Sequence, residues 1–470
     1  MNHPEPRPPH PPRTDPLRTA QRRSGPRRDL LATTLAALLV TAAVLIGRHL
    51  EDHDGSLHVN WPPLYAKGDP HLGPGTPAAL AVAAAVVLHG PALAARLPWR
   101  ALLAAAWAGS TAWIWSLALV DGWHRGVAER LTTKYEYLRV IDRFDDIPAT
   151  LRDFTHHIVQ VPGEYHWPAH TAGHPPAAPL TFVLLDRIGL GGGGWAGAFV
   201  ITAGGTAVLA VLLTVRALAD EATARRAAPF LVLAPAAVWT GASADGYFAA
   251  VTAWMTALLA LAATRTTRHP ALAATGAGLL FGLTCYLSYG LTLFALVAAG
   301  VVVIARTPRP LPYFVAGAAV APLVFTAFGF DWWEAYRLLV DRYYQGAAGV
   351  RPYWYWVWAN PACTVFVVGL ATVAGLRRTL TAAPGAVRRW HTRDTTATDR
   401  LVGLVLVALL AVAAADLSGM SKAETERIWL PFALFLLPAA ALLPRPSARA
   451  WLTAQAALAL AVNHLLFTGW

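Results

Sequence analysis

Charged residues cluster at the entrance of an apolar run in "LSGMSKAETERIWLPFALFLL", residues 417–437. Arg427 would lie in the first turn of a helix, where the helix dipole disfavours a cation unless an anion is nearby. Glu424, three residues earlier, is one candidate anion, and a lipid phosphate held by Lys422 or Arg427 is the other. Ser421 and Glu424 also have the Ser-x-x-Glu spacing of a capping box, which is the structural alternative for that glutamate.

A second group of reactive side chains lies in the polar segment 121–176. Glu136, flanked by tyrosines in "KYEYL", could act as a general base if it is held at a membrane surface. The histidines crowd the end of this segment: His156, His157, His166, His170 and His174. No pair of them has the spacing of a helix-borne metal motif and no cysteine assists. The sequence therefore indicates no metal site and no certain cofactor, and it leaves a requirement for a divalent metal open.

Two further regions carry candidate substrate ligands. Asp245 in "GASADGYF" either closes a turn or binds a substrate. The segment 329–360 is rich in Trp and Tyr, which suits the interface between membrane and water and also suits stacking on sugar rings. Asp331, Glu334 and Arg342 in this segment could bind sugar hydroxyls by hydrogen bonds.

The composition predicts a polytopic membrane protein. Of 470 residues, 56% are hydrophobic and only 14% are charged, a much lower charged fraction than in soluble domains. The apolar residues fall in blocks of about 15 to 20, enough to cross a bilayer core. The formal charge of +11 is concentrated in short loops and the N-terminal tail, which indicates topology signals rather than nucleic-acid binding. We expect an all-α transmembrane bundle of about 13 or 14 helical segments.

The alternation of basic turns predicts a multi-pass protein of the cell membrane with a cytoplasmic N-terminus. In the stretch 178–215, a short re-entrant or tilted piece followed by one full span would preserve this alternation. In the long external loop, "GVAERLTTKYEYLRVIDRF" and "IPATLRDFTHHIV" have the pattern of amphipathic helices lying in the interface. The chain then divides into a disordered basic cytoplasmic tail (1–29), two N-terminal helices with an external loop at 48–76 (30–100), and a core (101–470) with external loops at 121–176, 329–360 and 416–428.

The core resembles the GT-C superfamily of membrane glycosyltransferases, which use polyprenyl-phosphate sugars. The resemblance spans roughly 101–440 and includes the helix 101–120, "KYEYL" and "GHPPAAPLTFVLLDRIGLGGGG". "RALADEATARRAAPFLVLAPAAVWTGASADGYFAAV" looks like the next helical hairpin of that superfamily, and "SKAETERIWLPF" is similar to a late helix of actinobacterial members. The chain departs from the pattern in its two extra N-terminal helices and in Ala177, where a glycine usually follows "HPP".

The resemblance implies a transfer with inversion from a polyprenyl-phosphate sugar to an extracytoplasmic glycan, lipid or protein acceptor. A carboxylate base in the first long external loop matches Glu136 best and Asp121 second, and His174 matches the residue that leads the "HPP" turn. Lys422 and Arg427, with His174, are then the candidate ligands of the lipid phosphate, where negative charge develops.

Two other classes of function remain open at this stage. A transporter or lipid flippase would place its polar groups at the midplane of the membrane, and a GT-C-like scaffold would lack catalysis. The discriminating feature is whether Glu136 or Asp121 faces the same cavity as Lys422 and Arg427.

Overall fold

The computed structural model describes the backbone of residues 16–469 and the side chains of residues 25–469. Within this part of the chain, eight helices are long and apolar enough to cross a membrane, or up to ten if each of two bent helix pairs counts as one span. The only strands in the same range are two of three residues each. The predicted all-α polytopic bundle is therefore confirmed, and the chain is a multi-pass membrane protein.

The helices follow one another closely along the chain, joined for the most part by short turns. Those before residue 220 are α1 (Pro16–Asp54), α2 (Thr76–Arg96), α3 (Trp99–Ala118), α4 (Ile147–Asp153), α5 (Ala169–Gly173), α6 (Ala177–Arg187), α7 (Gly193–Gly205) and α8 (Ala207–Leu218). Those after it are α9 (Glu221–Val232), α10 (Ala237–Thr240), α11 (Ala244–Thr264), α12 (Pro270–Leu287), α13 (Phe294–Ala305), α14 (Leu311–Ala318), α15 (Val320–Ala327), α16 (Trp332–Gln345), α17 (Tyr353–His391), α18 (Ala397–Leu417), α19 (Thr425–Ile428), α20 (Leu430–Ala433) and α21 (Ala448–Leu465).

The basic turns gather at one end of the bundle, which we call the basic face. Arg225 donates to the carbonyls of Ala94 and Leu97, both at 2.8 Å. Arg226 donates to the carbonyl of Leu443 at 2.8 Å. Other turns are joined in the same way by the pairs Arg306–Trp390 and Arg400–Ala219.

The long loops gather at the opposite end, which we call the loop face. Arg351 joins two of them, because it donates to the carbonyls of Leu57 and Lys422, both at 2.8 Å. Gln160 and Gln345 join two more through paired amide hydrogen bonds. Basic turns are thus bonded to basic turns and long loops to long loops, as the predicted alternation requires. The side of the membrane on which each face lies stays a prediction.

The N-terminal region is more ordered than the sequence suggested. Its first helix begins at Pro16 rather than near Leu30, and the expected tail before Pro16 lies outside the described residues. Asp29, at the end of the expected tail, is buried and ion-paired with both Arg377 and Arg378 of α17. Because a buried carboxylate needs such partners, this ion pair holds the start of the membrane helix in place. The expectation of disorder up to residue 29 is wrong for this part.

The stretch 178–215 folds as predicted. The helix α6 has 11 residues, which is too short to span a bilayer core. The continuous pair α7 and α8 covers 26 residues and meets the length of a span. A short helix therefore precedes a pair of helices of spanning length, in the order that the sequence predicted.

The segment 121–176 differs from the expected pair of interfacial α-helices. A π-helical turn (His124–Ala128) and two 3-10 helices (Arg130–Thr132 and Tyr137–Phe144) replace the first of them. The second shrinks to α4 and the 3-10 turn Phe154–His157. The physical reason lies in tertiary contacts. The Tyr135 carbonyl accepts the backbone amide of His170 at 3.0 Å, so this part of the backbone is bonded to a distant segment of the chain rather than to its own next turn.

A short antiparallel ribbon secures this segment from the side. Strand β1 (Ala66–Gly68) pairs with β2 (Leu466–Thr468). The Phe467 ring of β2 lies under the guanidinium groups of Arg125 and Arg130, at 3.9 and 4.6 Å from ring centroid to Cζ. Such stacking stabilises a guanidinium that has left bulk water. The ribbon therefore ties the loop after α1 and the C-terminal end of the described chain to the loop that carries the candidate base.

Candidate functional site

A polar cavity lies at the loop face, where α11, α19 and the segment 121–176 meet. The space between its lining side chains is about 260 Å³ when the open solvent at its mouth is included. Its charged and titratable lining residues are Arg130, Glu136, His170, Asp245 and Arg427. Two carboxylates, two guanidinium groups and an imidazole thus converge at one end of the bundle rather than at its midplane.

Arg427 contacts three other charged or titratable side chains at this cavity. Its Nη1 donates to Oδ2 of Asp245 at 2.8 Å, and its Nη2 lies 2.6 Å from Oε2 of Glu424 and 3.1 Å from Nε2 of His170. Although burial opposes its charge, Asp245 and Glu424 raise the pKa of Arg427 above its usual value. Of the two anions proposed for Arg427, the local carboxylate is therefore present in the structure.

The turn before Arg427 is built differently from the expected capping box. Glu424 itself precedes α19, with φ of 62° and no capping hydrogen bond from its side chain. The carbonyl of Ser421 accepts from the Asn360 side chain at 2.7 Å instead. The capping-box expectation is wrong because the Glu424 carboxylate is drawn to Arg427. Although burial opposes its ionisation, Arg427 and Arg351 lower the pKa of Glu424.

Asp245 reaches the cavity from the first turn of α11. The hydroxyl of Ser243 accepts the backbone amide of Asp245 at 3.2 Å and so caps the helix. A carboxylate in a first turn is also favoured by the helix dipole. Asp245 is only 5% exposed. It belongs to a helix start and lines the cavity, and its binding of a substrate stays a prediction.

Glu136 lines the same cavity and is 3% exposed. Its Oε1 lies 2.9 Å from Nδ1 of His170. Its Oε2 is buried and has no hydrogen-bond partner among the described residues. One oxygen of this carboxylate is thus in contact with an imidazole, and the other is buried without a partner among the described residues.

Asp121, the second candidate base, lies outside the cavity. Its carboxylate is surrounded by three basic side chains: Oδ1 lies 3.2 Å from His71 and 2.9 Å from Arg125, and Oδ2 lies 3.1 Å from Arg130. Burial lowers the pKa of Arg130 to about 10 even though Asp121 opposes the shift. The geometry gives Asp121 the role of a counter-ion to Arg130, which does line the cavity.

His174 lies behind the cavity rather than in its lining. Its Nδ1 donates to the carbonyl of His170 at 2.8 Å, and its ring packs near Tyr137 and Phe248. Burial lowers the pKa of His174 to about 4. The imidazole is therefore neutral near pH 7 and supplies no positive charge for a phosphate.

Lys422 points away from the cavity. Its Nζ donates to the carbonyl of Ala348 at 3.0 Å and lies 5.3 Å from the centre of the Tyr344 ring. Burial, followed by the charge of Arg351, lowers the pKa of Lys422. The structure thus brings Arg427 to Glu136 and leaves Lys422 at the rim of the loop face.

The candidate sugar ligands of the aromatic segment also lie apart from the cavity lining. Asp331 caps α16, because its Oδ1 accepts the amides of Trp333 and Glu334 at 2.8 and 2.9 Å. Glu334 occupies the first turn of that helix and Arg342 its last turn. Their binding of a substrate stays a prediction, and the capping role of Asp331 is what the structure shows.

No protein-family model and no curated protein matches the chain. Two crystal structures of the Archaeoglobus fulgidus oligosaccharyltransferase are similar in fold. One is a complex with Zn and sulfate (16% identity, TM-score 0.42), and the other is tethered to an acceptor peptide containing the NVT sequon (15%, 0.40). Each match covers 77% of this chain, whereas the chain spans only 53% and 49% of their lengths. At this TM-score the likeness carries no functional argument, so function rests on the site itself.

The donor groups of this site surround a guanidinium rather than an empty centre. Within the described residues, no group of three His, Cys, Asp or Glu side chains is placed to hold a metal ion. Glu424, Asp245 and His170 instead all contact Arg427.

Sequence reasoning missed two residues of the site, His170 and Arg130. His170 precedes His174 by one helical turn, and the short helix α5 turns it towards Glu136. Arg130 appeared as one basic residue of an amphipathic pattern. No signal in the sequence indicated that it would be buried, since its partner Asp121 is nine residues away and its second partner is the carbonyl of Thr468.

Proposed function

We propose that the protein is a membrane glycosyltransferase that moves a sugar from a polyprenyl-phosphate donor to an acceptor hydroxyl on the extracytoplasmic side, with inversion. The observation that carries the proposal is the chain of contacts Glu136–His170–Arg427–Asp245 around one cavity at the loop face. It places a carboxylate with an unengaged oxygen beside a fixed cation. The resemblance of residues 101–440 to the GT-C superfamily supports the same reaction.

In this reaction Glu136 is the base. Its Oε2 accepts the proton of the acceptor hydroxyl while the hydroxyl oxygen bonds to the anomeric carbon. The bond from that carbon to the phosphate oxygen breaks, and the electron pair leaves with the lipid phosphate. General-base assistance of this kind contributes about 10²- to 10⁴-fold to the rate.

Arg427 and Arg130 stabilise the leaving phosphate. Both guanidinium groups line the cavity, and both are buried, at 5% and 8% exposure. A fixed cation in a water-poor site interacts more strongly with developing charge than the same cation in water. Because Asp245 and Glu424 already hold the guanidinium in place, Arg427 does not have to reorganise as the phosphate departs.

The location of the site favours this proposal over a transporter. The polar groups lie at the ends of α11 and α19, where the long loops converge, and a transporter places them at the midplane. A sugar donor embedded in the membrane by its lipid would present its phosphate at this depth. We place the loop face on the extracytoplasmic side and the basic face, with the N-terminus, in the cytoplasm.

The test is a transfer assay with the full-length protein, radiolabelled polyprenyl-phosphate sugars and membrane-derived acceptors. We expect wild-type transfer, and a loss of about 10²- to 10⁴-fold in kcat for Glu136→Gln. Donor binding should persist in this variant, because glutamine keeps the size of the side chain. Equal activity of Glu136→Gln and wild type would refute Glu136 as the base, and absence of transfer or hydrolysis with every donor would refute the proposed function.

A further inference from the structure

His170 contacts both the candidate base and the candidate leaving-group cation. Its Nδ1 lies 2.9 Å from Oε1 of Glu136, and its Nε2 lies 3.1 Å from Nη2 of Arg427. Its backbone is fixed as well, since its amide donates to the Tyr135 carbonyl at 3.0 Å and its carbonyl accepts from Nδ1 of His174 at 2.8 Å. Two polar contacts therefore hold the imidazole, and two more hold the backbone of the same residue.

The partners of His170 determine where its proton lies. A guanidinium carries only donors, so Nε2 must offer its lone pair to Arg427. Nδ1 then carries the hydrogen, 2.9 Å from Oε1 of Glu136. A second proton on Nε2 would point at the guanidinium, which is both sterically and electrostatically unfavourable.

We propose that His170 is a positioning residue for the transfer reaction: as the Nδ1–H tautomer it fixes the Glu136 carboxylate so that Oε2 faces the acceptor, and it links that carboxylate to Arg427. This inference rests on the proposed function. Carboxylate, imidazole and guanidinium form one rigid array in which the sites of proton uptake and of phosphate departure keep a constant separation. His170 accepts no proton from the substrate, because Nδ1 is already protonated and Nε2 is engaged by Arg427.

The array has a physical advantage over a free carboxylate. A glutamate with two mobile oxygens would pair directly with a neighbouring guanidinium, since a carboxylate and an arginine form a bidentate pair readily. His170 occupies the space between Glu136 and Arg427 and accepts one guanidinium N–H itself. It thus leaves Oε2 unengaged, as observed.

Two conservative substitutions at His170 separate its contact with Glu136 from its contact with Arg427. The side-chain amide of His170→Asn reaches the position of Nδ1 and can still donate to Glu136, whereas the oxygen of His170→Gln reaches the position of Nε2 and can accept from Arg427. We expect the Asn variant to keep kcat within about 10-fold of wild type and the Gln variant to lose about 100-fold, with little change in KM for the donor. His156→Asn, on an exposed histidine of the same loop, is the matched control and should keep wild-type kcat.

Equal losses in the Asn and Gln variants, or an effect on KM alone, would overturn the positioning role. The tautomer is tested separately, without activity, by nitrogen NMR of full-length protein labelled with ¹⁵N-histidine, with His170→Asn to identify the signal. We expect a protonated Nδ1 and an unprotonated Nε2 at pH 7. A protonated Nε2 would overturn the inference. If wild type transfers no sugar from any donor, the proposed function and the catalytic part of this role fail together, and the nitrogen spectrum still decides the tautomer.

Discussion

Asp245 and Arg427 are 182 positions apart in the sequence, yet Oδ2 of the first accepts a hydrogen bond from Nη1 of the second at 2.8 Å. Their side chains are 8% and 6% exposed. This pair joins the start of α11 to the turn before α20. The pair explains why Arg427 can occupy the first turn of a helix. The anion that offsets the helix dipole there is Asp245, which belongs to a different helix.

Arg427→Met is expected to destabilise the protein by about 3–5 kcal/mol, because it leaves Asp245 and Glu424 partly or fully buried without their partner. The free energy of unfolding in detergent measures this loss. Arg337→Met, on an exposed arginine of α16, is the control and should change stability by less than about 0.5 kcal/mol. Equal free energies of unfolding for the two variants would contradict this explanation.

A double variant, Asp245→Asn with Arg427→Gln, tests the pairing directly. Its loss of unfolding free energy should be smaller than the sum of the losses in the two single variants.

Asp121→Asn is expected to lower stability rather than the chemical step. Its carboxylate is paired with Arg125 and Arg130 and contacts His71, and an amide cannot replace that negative charge. We expect a lower midpoint of thermal unfolding, with kcat per folded molecule within about 10-fold of wild type. A loss of kcat as large as that of Glu136→Gln, without a change in the melting curve, would instead identify Asp121 as a base.

Glu426 predicts a pH dependence of stability. Its carboxyl is fully buried, with Oε1 accepting the Tyr65 amide at 2.9 Å and Oε2 accepting from Sγ of Cys363 at 3.1 Å. Burial raises the pKa of Glu426 above the usual 4.5, so the folded protein binds this proton more tightly than the unfolded chain. Stability from this group therefore falls as the pH rises above 4.5.

Glu426→Gln mimics the protonated acid and should abolish that contribution. Thermal unfolding between pH 5 and pH 8 should show a steeper decline for wild type than for the variant. Glu164→Gln, on an exposed loop residue, is the control and should follow wild type. Parallel curves for wild type and Glu426→Gln would show that the carboxyl is ionised in the folded protein.

Cysteines placed on the two faces of the bundle should react with a maleimide from opposite sides of the membrane. Glu164 of the loop face and Arg268 of the basic face are both exposed, so a cysteine at either position will react with a membrane-impermeant maleimide that reaches it. In intact cells, Glu164→Cys should react and Arg268→Cys should react only after permeabilisation. Cys285→Ser removes one background thiol, and Cys363 is buried. The reverse pattern would invert the proposed orientation.

Sequence patterns by themselves were enough to predict an all-α, multi-pass membrane protein. Apolar blocks of membrane-spanning length and the alternation of basic turns depend on local composition, because hydrocarbon selects for apolar helices one segment at a time. For the same reason the short piece at α6 and the full span of α7 and α8 could be predicted. Glu136 and Arg427 were also named as candidates from the sequence, the first because tyrosines flank it in a polar loop and the second because a cation in the first turn of a helix needs an anion.

Only the tertiary structure decided what those residues contact. The helix in the segment 121–176 was predicted from its periodicity, and tertiary hydrogen bonds such as that between His170 and the Tyr135 carbonyl replaced it with shorter turns. Lys422 and Arg427 looked equivalent in the sequence, but the turn between them sends one to the rim and the other to the cavity. The pairing of Arg427 with Asp245 and the link from His170 to Glu136 depend on how distant helices pack. No local pattern encodes such contacts, since the energy of a buried charge is set by whatever the fold brings next to it.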